Sequence, residues 1–103
     1  MEYQLVLQFR GDSLDDYDAM ILLEEKLIEA FENIADVDGH DVGSGEVNIF
    51  ILTTDPKTTF QQIKPVLELR KKLETVIVAY RKIDEEDYTV IWPENYRQEF
   101  KVI

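Results

Sequence analysis

The sequence predicts an α+β fold, a two-layer sandwich with the ferredoxin-like order β-α-β-β-α-β and an extra C-terminal strand. Three observations predict it: one segment that alternates with a period of two, two segments with helical period, and strand-like runs between and after them. The chain has 103 residues, so we expect a single domain over 1–103 with a C-terminal tail at 93–103. The sheet should be antiparallel-rich and five-stranded, with both helices on one face.

The first strand is indicated by strict alternation over residues 3–9. One side is apolar and the other carries two glutamines: Tyr3, Leu5, Leu7 and Phe9 against Gln4, Val6 and Gln8. Such a segment is typical of a strand with one buried face and one face open to water. We therefore expect the side of the sheet that carries the glutamines to be open.

The first helix is predicted over residues 14–34, with Ser13 as its N-cap. At about 100° per residue, its apolar side chains share one arc. The arc consists of Met20, Leu23, Leu27, Phe31 and Ile34, flanked by Tyr17, Ile21 and Ile28. Glu24 projects close to the middle of this arc. A carboxylate there either lies at the rim of the core, bonded to a donor, or has a raised pKa, and we expect the rim position.

The second helix should begin at Pro56, where a proline suits the first helical position, and Asp55 can cap it. Pro65 lies inside this helix and should bend it, because proline has no N–H and clashes with the preceding turn. The remaining strands are expected at about 36–42, at 46–53, at 75–83 and at 88–92. The tail offers four apolar anchors: Tyr96, Phe100, Val102 and Ile103.

Charge is distributed very unevenly along the chain, whose net charge is −11. Residues 1–55 hold 14 acidic and two basic side chains, whereas residues 56–103 hold eight acidic and nine basic ones. Nucleic acid is not an expected ligand, because phosphate binding needs clustered lysine and arginine. The acidic half favours a basic protein partner, or serves solubility alone.

Several classes of chemistry are excluded or disfavoured by composition. The chain has no cysteine, which excludes disulfides and thiolate chemistry, and a single histidine, which excludes a multi-histidine metal site within one chain. Phosphate-binding, dinucleotide and metalloprotease motifs are absent from the sequence. We expect no cofactor, no metal and no membrane span, and, without a signal peptide at the start, a cytoplasmic protein.

The segment 38–48 concentrates polar side chains around three glycines. If Ser44 and Gly45 are the turn residues, Asp41 pairs with Asn48 and His40 with Ile49 across a hairpin, which puts His40 and Asp41 on opposite faces. Two interpretations stay open. One is an acid–base or metal site, and the other is a glycine-rich turn whose side chains satisfy backbone groups. The candidate residues of this polar loop are His40, Asp41, Ser44, Glu46 and Asn48.

The same segment carries a resemblance. The run Gly39-His40-Asp41-Val42-Gly43-Ser44-Gly45-Glu46-Val47-Asn48-Ile49-Phe50, followed by Thr54-Asp55-Pro56, resembles a segment shared by a set of small uncharacterised bacterial proteins. The similarity covers about residues 38–67. It implies a bacterial context and carries no activity or site residues.

The first helix also predicts an acidic stripe beside its core face, made of Asp18, Glu25, Glu29 and Glu32, which lie within about 60° of one another. Like charges at these spacings repel, and Lys26, the only nearby cation, should point elsewhere. These features favour a non-enzymatic binding protein, such as an inhibitor or immunity protein that masks a basic partner through this stripe.

Two other functions remain open on the sequence. One is a homo-oligomeric module for small-ligand binding or regulation, in which Val6, Tyr80, Trp92 and the tail aromatics form an exposed patch that pairs with a second copy. The other is an enzyme that uses the loop at 39–48.

Overall fold

The computed structural model describes residues 2–10, 14–30, 35–43, 45–69, 73–98 and 100–102. Two helices and five strands occur in these ranges. In chain order they are β1 (Tyr3–Arg10), α1 (Leu14–Ala30), β2 (Ala35–Gly43), β3 (Glu46–Thr53), α2 (Pro56–Leu69), β4 (Ile77–Lys82) and β5 (Thr89–Trp92). The expected N-cap Ser13 and the expected helical residues 31–34 lie outside the described residues.

The strands form one sheet in the order β2-β3-β1-β4-β5, and every neighbouring pair is antiparallel. β1 lies at the centre, where Leu5 is opposite Ile51 of β3 and Tyr80 of β4. The prediction of an α+β fold with a five-stranded antiparallel sheet and two helices is confirmed. β4 and β5 are shorter than expected, starting at Ile77 and Thr89.

One face of the sheet packs against residues of both helices in a single buried cluster, which we call the helix-side core. α1 and α2 contribute Met20, Leu23, Leu27, Phe60, Ile63 and Leu67, and the strands contribute Leu5, Leu7, Val47, Ile49, Ile51 and Val78, among others. Each large aliphatic side chain buried in this way contributes about 1.5–3 kcal/mol. The predicted arc of α1 is therefore buried where the structure describes it.

The other face of the sheet is also covered, which corrects the expectation of an open face. Val6 and Ala79 are fully buried there, and Phe100 from the tail packs on them at 8% exposure. Partly buried neighbours complete this tail-side core: Phe50, Ile77, Tyr88, Val90, Tyr96 and Val102. The expectation failed because β1 has only one apolar side chain on this face, and the covering residues come from about 90 positions later in the chain.

The tail is held by hydrogen bonds as well as by apolar packing. Gln8, expected to face water, is buried, and its Nε2 donates to Asn48 Oδ1 at 3.0 Å and to the carbonyl of Lys101 at 2.8 Å. The rings of Tyr88 and Phe100 meet edge to face with centroids 5.0 Å apart. Three of the expected anchors, Tyr96, Phe100 and Val102, thus pack on the sheet, while Ile103 lies outside the described residues.

α2 starts at Pro56, as predicted, and is capped by Asp55. The Asp55 carboxylate accepts from the Thr58 backbone N–H at 3.1 Å and from the Thr58 hydroxyl at 2.9 Å. Next to this cap, a buried hydrogen bond of 2.6 Å between the hydroxyls of Thr53 and Thr59 joins β3 to α2. The helix continues through Pro65 to Leu69, and its bend at Pro65 stays a prediction.

Candidate functional site

The β2–β3 hairpin has the register that its turn residues predict. Asp41 lies opposite Asn48, His40 opposite Ile49 and Gly39 opposite Phe50. Gly45 occupies the turn with φ 76°, a backbone conformation that is unfavourable for residues with a Cβ atom and accessible to glycine. Because Ile49 belongs to the helix-side core, its neighbour His40 lies on that face, and Asp41 lies on the other.

His40 meets a carboxylate that comes from α1 rather than from the hairpin. Its Nδ1 lies 3.0 Å from Glu24 Oε2, and the two side chains are 29% and 17% exposed. The expectation that Glu24 lies at the core rim and is bonded to a donor is thus what the structure shows. The pair joins the middle of α1 to the edge strand of the sheet.

The other polar residues of the loop do not join this pair. Asn48 is buried on the opposite face and bonded to Gln8, Asp41 is exposed, and Glu46 lies opposite Arg10 of β1. Ser44 lies outside the described residues. Across the ranges that the structure describes, no group of three or more histidine or acidic side chains is placed to hold a metal ion. The four loop candidates that the structure describes therefore do not form one site.

The acidic stripe lies on the outward side of α1, opposite the helix-side core, which corrects the expectation that it lies beside the core face. Asp18, Glu25 and Glu29 are all exposed, and Glu32 lies outside the described residues. Lys26 does not point away, contrary to expectation, because its Nζ lies 3.5 Å from Glu29 Oε2. An exposed i,i+3 pair of this kind offsets part of the repulsion within the stripe.

Two apolar side chains of α1 face water beside these carboxylates. Leu22 is 50% exposed and Ile28 is 55% exposed. Ile28 was expected to flank the core, and its exposure corrects that expectation. Leu22 could have been found from the sequence, because about 100° per residue places it within about 60° of Asp18, Glu25 and Glu29. We call Asp18, Leu22, Glu25 and Glu29, with Ile28 at its edge, the outer surface of α1.

The apolar patch expected for a homo-oligomeric module is not assembled. Val6 is buried beneath the tail, whereas Tyr80 and Trp92 pack on the opposite, helix-side face. Trp92 contacts Phe60 of α2 with ring centroids 5.8 Å apart. These residues therefore cannot form one exposed surface for a second copy.

Neither described helix is long and apolar enough to cross a membrane. No family model and no curated protein matches the sequence. Among solved structures, the chain is similar to a de novo designed protein, Foldit4, with 17% sequence identity over 84% of this chain and 100% of that one. The TM-score is 0.50, and at this identity the likeness concerns the fold alone.

Proposed function

We propose that this chain is a small acidic, non-enzymatic binding protein of ferredoxin-like fold that masks a basic protein partner, as inhibitor and immunity proteins do. The observation that carries the proposal is the outer surface of α1, where the half-exposed Leu22 lies among Asp18, Glu25 and Glu29. The strand order β2-β3-β1-β4-β5 supports the ferredoxin-like assignment.

The surface combines the two properties that protein recognition uses. Carboxylates attract a cationic partner over distance and raise the association rate, while an apolar side chain at the centre becomes desolvated in the complex. A partner that presents lysine or arginine around an apolar pocket would satisfy both. A second copy of this chain would not, because two acidic surfaces repel each other.

The test is the association rate constant with a basic partner recovered from the host, measured across a salt series. Glu25→Lys should slow association by about three- to tenfold at low salt and flatten its salt dependence. Leu22→Ala should mainly speed dissociation, because it removes buried contact rather than charge.

Matched control variants come from the exposed β4–β5 turn, which carries an acidic and an apolar residue of its own. Glu85→Lys makes the same charge change as Glu25→Lys, and Ile83→Ala removes an exposed aliphatic side chain as Leu22→Ala does. Both controls should bind nearly as the wild type does. Equal effects at the two places would mean that net charge alone governs association, and the outer surface of α1 would not be the binding site.

A further inference from the structure

A cleft between α2 and β5 differs in character from the rest of this acidic molecule. It encloses about 250 Å³. Its lining combines aromatic and aliphatic side chains with two lysines, a glutamine and one acid: Lys57, Phe60, Gln61, Lys64, Ile91, Trp92 and Glu94. The cleft thus joins an apolar wall to several polar groups, and polar groups are what orient a ligand in a small-molecule site.

The apolar wall of the cleft is held in place from behind. Phe60 is buried in the helix-side core and contacts the Trp92 ring. The Trp92 indole N–H donates to the Leu73 carbonyl at 2.9 Å, which fixes the orientation of the ring. The wall is therefore formed before any ligand arrives, so binding does not have to order it.

Two lysines line the cleft beside this wall. Lys57 and Lys64 are seven residues apart, two turns along one side of α2. Lys64 Nζ lies 4.8 Å from the centre of the Trp92 ring. In the described parts of the chain, no carboxylate oxygen lies within 4 Å of either ammonium group. Two carboxylates are nearby, since the charge of Asp55 interacts with Lys57 and Glu94 lines the cleft.

We propose that this cleft binds a small organic anion, a carboxylate carried on an aromatic or aliphatic body. The body would lie against Phe60, Ile91 and Trp92, and the carboxylate would accept from Lys57 and Lys64. The space is sufficient, because an apolar cavity of about 150 Å³ holds benzene in another protein. The inference is independent of the proposed binding of a basic protein, since the cleft and the outer surface of α1 share no residue.

The test is a titration of the isotope-labelled protein with benzoate, followed by two-dimensional ¹H–¹⁵N NMR. Trp92 is the only tryptophan, so its indole N–H is a single assigned reporter of the cleft. Benzamide, with the same shape and no charge, tests the need for an anion, and inorganic phosphate tests the need for an apolar body. Lys57→Gln and Lys64→Gln remove one charge each, and Lys82→Gln is the matched control on an exposed lysine outside the cleft lining.

Benzoate should shift the indole signal and the backbone signals of Gln61 and Lys64 saturably, while benzamide and phosphate should not. Each cleft variant should weaken benzoate binding by about three- to fivefold, and Lys82→Gln should leave it unchanged. The proposal is overturned if benzoate gives no saturable shift, if benzamide or phosphate binds as well as benzoate, or if Lys82→Gln weakens binding as much as the cleft variants do.

Discussion

His40 Nδ1 lies 3.0 Å from Glu24 Oε2, and this contact ties the middle of α1 to the edge strand β2. On the helix side of the sheet, α1 otherwise packs through apolar groups such as Met20, Leu23 and Leu27. The hydrophobic effect has no preferred direction, whereas a hydrogen bond to one imidazole nitrogen depends on both distance and angle. The pair therefore adds one directional contact between α1 and β2 to the apolar packing of the helix.

The coupling between these two side chains can be measured with a double-mutant cycle. His40→Ala and Glu24→Ala should each lower the free energy of unfolding, and the coupling energy should be about 0.5–1 kcal/mol, because both groups are partly exposed. Urea denaturation of the wild type, both single variants and the double variant gives this number. Glu25→Ala, one residue along the helix, is the control and should show no coupling to His40→Ala. If the effects of His40→Ala and Glu24→Ala on the free energy of unfolding simply add in the double variant, the contact is contradicted.

Gln8 should be more important for stability than its polar character suggests. Gln8→Ala removes the donor to Asn48 Oδ1 and to the Lys101 carbonyl and leaves a buried acceptor unpaired, so the free energy of unfolding should fall by about 1–3 kcal/mol. Gln62→Ala, at an exposed position of α2, is the control and should change it by less than about 0.5 kcal/mol. Equal stability of the two variants would rule out a tail held by Gln8.

Replacing Pro65 should stabilise the protein. Pro65 is exposed inside α2 and cannot donate to the Gln61 carbonyl four residues earlier. Pro65→Ala restores that hydrogen bond at some cost from the freer unfolded chain, for a net gain of about 1–2 kcal/mol in the free energy of unfolding. Pro56→Ala is the control and should lower the free energy of unfolding, because proline is favourable at the first helical position. A Pro65→Ala variant no more stable than the wild type would show that the helix already accommodates the ring.

The cap of α2 should make stability depend on pH in the acid range. Hydrogen bonds from the Thr58 backbone N–H and then from the Thr58 hydroxyl lower the pKa of Asp55 below its usual value. A lowered folded-state pKa stabilises the fold at neutral pH, and this stabilisation is lost as the pH falls through that pKa. The melting temperature of the wild type should therefore exceed that of Asp55→Asn at neutral pH and converge with it in acid.

Thr58→Ala separates the two hydrogen bonds of this cap. The variant keeps the backbone donor and loses only the hydroxyl bond, so its melting temperature relative to the wild type should fall less than that of Asp55→Ala. A difference between the wild type and Asp55→Asn that stays constant from neutral pH into acid would contradict the role of the charged cap.

The features that could be predicted from the sequence are those that depend on residues close together in the chain. The alternation in residues 3–9 identified β1, and the turn at Gly45 set the register of the hairpin, including Asp41 opposite Asn48. Contacts between residues far apart in the sequence could not be predicted in this way. The partner of His40 depends on how α1 is rotated over β2, and the burial of Gln8 depends on a tail about 90 residues away. Neither leaves a periodic signal in the sequence.

The position of the tail also determines when one side of the sheet becomes covered during synthesis of the chain. A ribosome makes Val6 and Ala79 before Phe100, so all five strands are synthesised before the residues that cover one side of the sheet. During that interval Val6 and its neighbours form an exposed apolar surface that other nascent chains and chaperones can bind. Native packing on this side is completed only when Tyr96, Phe100 and Val102 lie against the sheet.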